Sequence, residues 1–128
     1  MEVTVQLFEQ LNEETREAVG PLDGILALEE LPQQRTIVAA LVITNPEADL
    51  NGESFEFWAR CLPAGDRSSP REPPELWLRV DFNEPDQKTY RFPVPVVVDV
   101  PETGDYEVVI YAVLAEVARV PLKVMLDR

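Results

Sequence analysis

A chain of 128 residues is the size of one domain, long enough to bury roughly two thirds of the surface that its unfolded form exposes. Its 24 acids and 11 bases leave a net charge of −13, which repels nucleic-acid phosphates and anionic lipid surfaces and argues against direct contact with DNA, RNA or membranes. No run of ~18 uncharged apolar residues could form a spanning helix, and Met1-Glu2-Val3-Thr4 lacks the basic start of a secretion signal, so the expected address is cytoplasmic.

Period-two alternation between turn signals runs along the chain, the pattern of sheets with one buried face. Val3, Val5 and Leu7 alternate with Glu2, Thr4 and Gln6 in a first strand. Residues 8–20 are polar around Asn12-Glu13-Glu14-Thr15-Arg16-Glu17 and read as a long loop, with Pro21 and Gly24 leading into a second strand over 24–28. The third, 35–44, is apolar on both sides: Ile37, Ala39, Leu41 and Ile43 against Val38, Ala40 and Val42. Such a strand lies centrally in a sheet, or has one face covered by a partner.

Asn45-Pro46 and Asp49-Leu50-Asn51-Gly52 are turns before a strand over 53–62, where Phe55, Phe57, Ala59 and Cys61 point inward opposite Glu56, Trp58 and Arg60. Residues 63–74 form a proline-rich, mobile connection carrying Arg67 and Arg71. A strand over 75–82 follows, with Leu76, Leu78 and Val80 on one side and Trp77, Arg79 and Asp81 on the other. Pro93 and Pro95 interrupt 89–92 and 94–100, which favours an edge or a crossing between sheets. Two closing strands, 105–114 and 117–125, form a hairpin joined at Ala115-Glu116. The expected fold is one all-β domain over 1–128: an immunoglobulin-like, two-sheet antiparallel β-sandwich of about seven to nine strands.

The run Leu22-Asp23-Gly24-Ile25-Leu26-Ala27-Leu28-Glu29-Glu30-Leu31, the approach through Gly52, the turn Pro101-Glu102-Thr103-Gly104-Asp105-Tyr106 and the closing Val120-Pro121-Leu122-Lys123-Val124 resemble an uncharacterised bacterial family of small immunoglobulin-like sandwich proteins. The resemblance spans most of the chain. It implies the fold, and it brings neither an activity nor catalytic residues. The proline-dense segment 63–74 departs from the pattern.

With no histidine, the usual general base, the serine triad and histidine metal sites are missing. Glu53 and Glu56 fall on opposite strand faces and cannot act as a carboxylate pair, and no glycine loop cradles a phosphate. The chain is therefore expected not to be an enzyme and to use no cofactor. Cys61, the single cysteine, reads as a small strand residue, with a reactive thiol as the alternative. Oxygen-rich turns at Asp49, Asn51 and Glu53, at Asp81, Asn83, Glu84 and Asp86, and at Asp99, Glu102 and Asp105 have calcium-ligand chemistry, though Asp and Asn also populate ordinary turns.

Trp58 and Trp77 sit opposite the inward residues of their strands, either in a second buried layer or as partner contacts. The leading expectation is a non-catalytic module acting through protein contacts or self-association, with 94–100 or 117–125 offered as edge strands for sheet extension. One alternative is an acidic decoy for a basic, nucleic-acid-binding surface. It rests on the eight acids and one base of residues 1–34, which also read as a solvated face. A calcium-dependent adhesion module is another alternative.

Overall fold

The computed structural model describes residues 2–44, 53–70, 77–82 and 88–126, and among them there are nine strands and no helix. They form two sheets. The four-stranded sheet has the order β2-β1-β4-β7, from β1 (Glu2–Leu11), β2 (Ala18–Pro21), β4 (Gln33–Thr44) and β7 (Thr89–Val100). The five-stranded sheet has the order β3-β9-β8-β5-β6, from β3 (Ile25–Leu28), β5 (Glu53–Pro63), β6 (Leu78–Phe82), β8 (Gly104–Ala112) and β9 (Ala115–Leu126), and it curls like half a barrel.

The inward half of each alternating pattern makes the core. Ile37, Ala39, Leu41 and Ile43 of β4, Val94, Val96 and Val98 of β7, Phe57 of β5 and Val108 and Ile110 of β8 are buried together. Removing a Val, Leu, Ile or Phe side chain from water contributes about 1.5–3 kcal/mol, so this interleaving drives the two sheets together. Aromatic pairs close one side of it, with Phe57 and Phe92 ring centres 5.3 Å apart and Phe82 edge-on to Tyr90 at 4.7 Å.

Five details differ from the sequence reading. Residues 8–20 are not a loop: β1 runs on to Leu11, the Asn12 side chain accepts the Glu14 and Thr15 amides at 2.9 and 3.2 Å, and the chain returns antiparallel as β2. Residues 89–100 form one strand, because Pro93 and Pro95 share a parity whose N–H would point away from β4, and β7 is indeed an edge. The closing hairpin turns at Val113-Leu114, with Ala112 opposite Ala115, two residues before the expected joint. The terminal strand is no edge, since β9 lies between β3 and β8.

The fifth is that the sheets are not wholly antiparallel. β3 pairs with β9 in parallel, Ile25 opposite Lys123 through Leu28 opposite Leu126. The crossing Leu22-Asp23-Gly24 sets this direction. The Leu22 amide bonds Leu7 in one sheet at 3.1 Å, while the Gly24 carbonyl accepts the Lys123 amide in the other at 2.8 Å. Gly24 has φ +80°, a region open to glycine, and Asp23 shares it at +51°.

Candidate functional site: the outer face of the five-stranded sheet

The strand registers put Trp58 on the outer face of β5 and Trp77 at the entry to its neighbour β6. Trp58 lies opposite Tyr111, and Phe57 opposite Leu78, the first residue of β6, with Trp77 just before it. Trp58 stacks on Tyr111 with ring centres 4.4 Å apart and planes 18° from parallel. With Val109 and Leu62 they form a second, smaller apolar cluster outside the main core. Trp58 therefore occupies the buried second layer at 2% exposure, whereas Trp77 is displayed at 48%.

Two arginines strap the loop after β5 across this face. Val109 is flanked in register by Arg60 and Arg119. Arg60 sits over the Tyr111 ring at 5.1 Å, donates from Nε to the Tyr111 hydroxyl at 2.8 Å and bonds the Ser68 carbonyl. Arg119 donates to the Asp66 carbonyl at 3.0 Å. The Glu107 carboxylate accepts from the Gly65 amide at 2.8 Å, from Arg119 at 3.2 Å and from Arg67 at 3.4 Å. Residues 64–70, expected to be mobile, are thus tied at several points. The remainder of that connection, 71–76, lies outside the described residues.

The electrostatics follow from these contacts. The Gly65 amide, with Arg119 beside it, holds the Glu107 carboxyl below the usual carboxylate range. Arg119 does the same for Glu116, bonded at 2.6 Å. Burial pushes the Cys61 thiol on the inner side of β5 up to about 11, so it stays protonated at neutral pH and is a poor nucleophile.

The hairpin tip joining β8 to β9 carries the feature that the sequence hid. Val113, on the same face as Glu56 and Arg79, has φ +60°, a conformation that a β-branched residue adopts at a cost of about 1–3 kcal/mol. The tip is held in place: the Val113 amide bonds the Glu56 carbonyl at 2.9 Å, and the Trp58 indole N–H donates to the Val113 carbonyl. Val113, Leu114 and Trp77 are three of the five exposed large hydrophobic residues among those described. Sequence reasoning missed the tip because valine and leucine stand where a two-residue turn normally has glycine or asparagine.

The calcium candidates do not converge. Asp81 accepts from Ser54 at 2.5 Å and from Arg79 at 3.1 Å, which lowers its pKa. Asp99, Glu102 and Asp105 are exposed, and it is the Glu102 main-chain carbonyl that binds, accepting the Tyr106 hydroxyl at 2.8 Å. Among the described residues no three acids gather as a metal site. Asp49, Asn51, Asn83, Glu84 and Asp86 lie outside the described residues, and Glu53 is described by its backbone alone. Among the described residues no helix is long and apolar enough to cross a membrane. Comparisons with known protein families, with curated proteins and with solved structures returned no match.

Proposed function

We propose that the chain is a non-catalytic, immunoglobulin-like module that works through protein contacts made at the β8–β9 end of its five-stranded sheet. Two features support the immunoglobulin-like reading. A short parallel strand, β3, borders a sheet ordered β9-β8-β5-β6. Tyr106, early in β8, bonds back to the carbonyl four residues upstream, as the tyrosine corner of such domains does. The outward Trp58 is a departure, since the immunoglobulin tryptophan points into the core.

One observation carries the contact reading: strained Val113 is exposed, beside exposed Leu114. Glycine would take Val113's conformation without strain, and at 49% exposure the valine side chain contributes little to the core. A rigid tip with apolar side chains turned outward is the anatomy of a contact hot spot, where a few anchored aromatic and aliphatic groups dominate binding. The acids of 1–34 give less support to the decoy reading. They are divided among both ends of β1, the β1–β2 turn, the β2–β3 crossing and the β3–β4 connection.

A photo-reactive amino acid at Leu114, in the full chain made in its own host, tests the reading. A discrete cross-linked protein is expected on irradiation, lost when the reactive group is moved to Glu30. Absence of any discrete product at Leu114 and at Trp77 sinks the proposal.

A further inference from the structure

The outer face of the four-stranded sheet carries few ionisable side chains for so acidic a chain. Its centre is apolar: Phe8, Val38 and Pro95 lie in one cross-strand row, with Ala40 beside Pro93 in the next and Val42 beyond. Together with the Arg16-Glu17-Ala18 turn, most of these residues line a shallow depression of about 800 Å³. Val38 is 6% exposed although it points away from the core. Along β1, β4 and β7 the side chains sharing this face are otherwise Thr, Gln and Val, and the ionisable ones are Glu2, Arg91 and Asp99.

We infer that this face seats a second copy of the same chain, packed face to face about a two-fold axis. Three arguments select that occupant. Two copies at −13 each repel wherever their acids meet, and this near-neutral face lets them approach. Arg91 and Asp99 stand on the same side of β7, roughly 26 Å apart at the strand rise. A two-fold axis between them brings each Arg91 toward Asp99 of the other copy, twice over, because such interfaces pair residue i with j and j with i. The area also suffices: four strands of these lengths cover roughly 600 Å² per copy, or roughly 1,200 Å² in total, the lower end of what stable interfaces bury.

Pro93 and Pro95 leave the middle of the β7 edge with no N–H donors to offer, so copies associate by packing sheet on sheet and not by lengthening the sheet. The interface deepens the protein-contact reading but uses a different surface, so the two stand or fall separately.

Sedimentation velocity of the purified full chain, from low micromolar to several hundred micromolar and at low and high salt, tests the inference. A reversible dimer is expected that persists in high salt. Ala40→Arg, with the isosteric Gln6→Glu as second variant in case the first fails to fold, should weaken dimerisation at least tenfold without lowering the melting temperature at concentrations where the parent chain is monomeric. Leu114→Asp should leave the dimer intact. Arg91→Asp and Asp99→Arg should each weaken it, and the double variant should regain it. A monomer at every concentration overturns the inference, as does a dimer indifferent to both Ala40→Arg and Gln6→Glu. A dimer broken by Leu114→Asp alone refutes this interface while leaving the contact reading of the hairpin tip in place.

Discussion

The outer faces of the two sheets solve the same problem in opposite ways. On the five-stranded sheet, apolar side chains are roofed: Trp58, Tyr111 and Val109 lie beneath arginine side chains that strap residues 64–70 to the strands. On the four-stranded sheet, no arginine strap covers half-buried Ala40 and Val42 among the described residues, and threonine and glutamine stand beside them. One face spends its charges on internal bonds, and the other has few charges to spend. An apolar stripe on an outward strand face thus says little about function until its cover is known.

The contrast breaks most sharply at Trp58. Trp58→Ala removes the Tyr111 stack and the tie to the Val113 carbonyl, and urea unfolding should show a loss of about 3–5 kcal/mol. Phe8→Ala on the other face should cost well under half of that, and equal losses would mean that the two faces are packed alike. The same strand offers a second comparison, between its roofed outer side and Cys61 on its inner side. With its thiol held near 11 instead of the ordinary 9, Cys61 should react with a thiol reagent roughly a hundredfold more slowly than in the unfolded chain. The sign follows from burial: this contribution to stability is complete below pH 9 and is lost as the pH rises through about 11. Rapid labelling at neutral pH would show that the core opens there.

Smaller effects sharpen the picture at the roof itself. Val113→Gly relieves the positive φ and should raise stability by roughly 1 kcal/mol, while weakening cross-linking from Leu114. A destabilised glycine variant would show that the valine side chain packs inward after all. Acid should loosen the strap. The folded pKa of Glu107 is depressed, so its stabilising contribution is present above the ordinary carboxylate value and is lost as the pH falls through the depressed one. Protection of the Gly65 amide, whose N–H Glu107 accepts, should fall relative to the intrinsic exchange rate at each pH over that range, and Glu107→Gln should abolish the dependence.

Much of this was legible in the sequence where periodicity met burial. The alternation of 35–44, apolar on both sides, marks β4 as the central strand that it is, and Pro93 and Pro95 mark β7 as an edge. What alternation does not encode is pairing. β3 pairs with β9 across nearly the whole chain, and its parallel direction depends on the Leu22–Gly24 crossing, which local pattern cannot show. The candidate site was half visible: both tryptophans stood out, but only the packing around each separates buried Trp58 from exposed Trp77. The hairpin tip was invisible because Val113 takes a glycine's conformation.

That parallel pairing also sets an order of events. Ile25 can meet Lys123 only after residue 123 has been made, so during synthesis, at about 5–20 residues per second, β3 must wait for β9. Until then Leu26 and Leu28, both 1% exposed in the finished fold, have no sheet to enter. The closing of loops this long is among the slowest steps that a β fold must take. For a nascent chain of this protein, residues 123–126 complete the placement of residues 25–28.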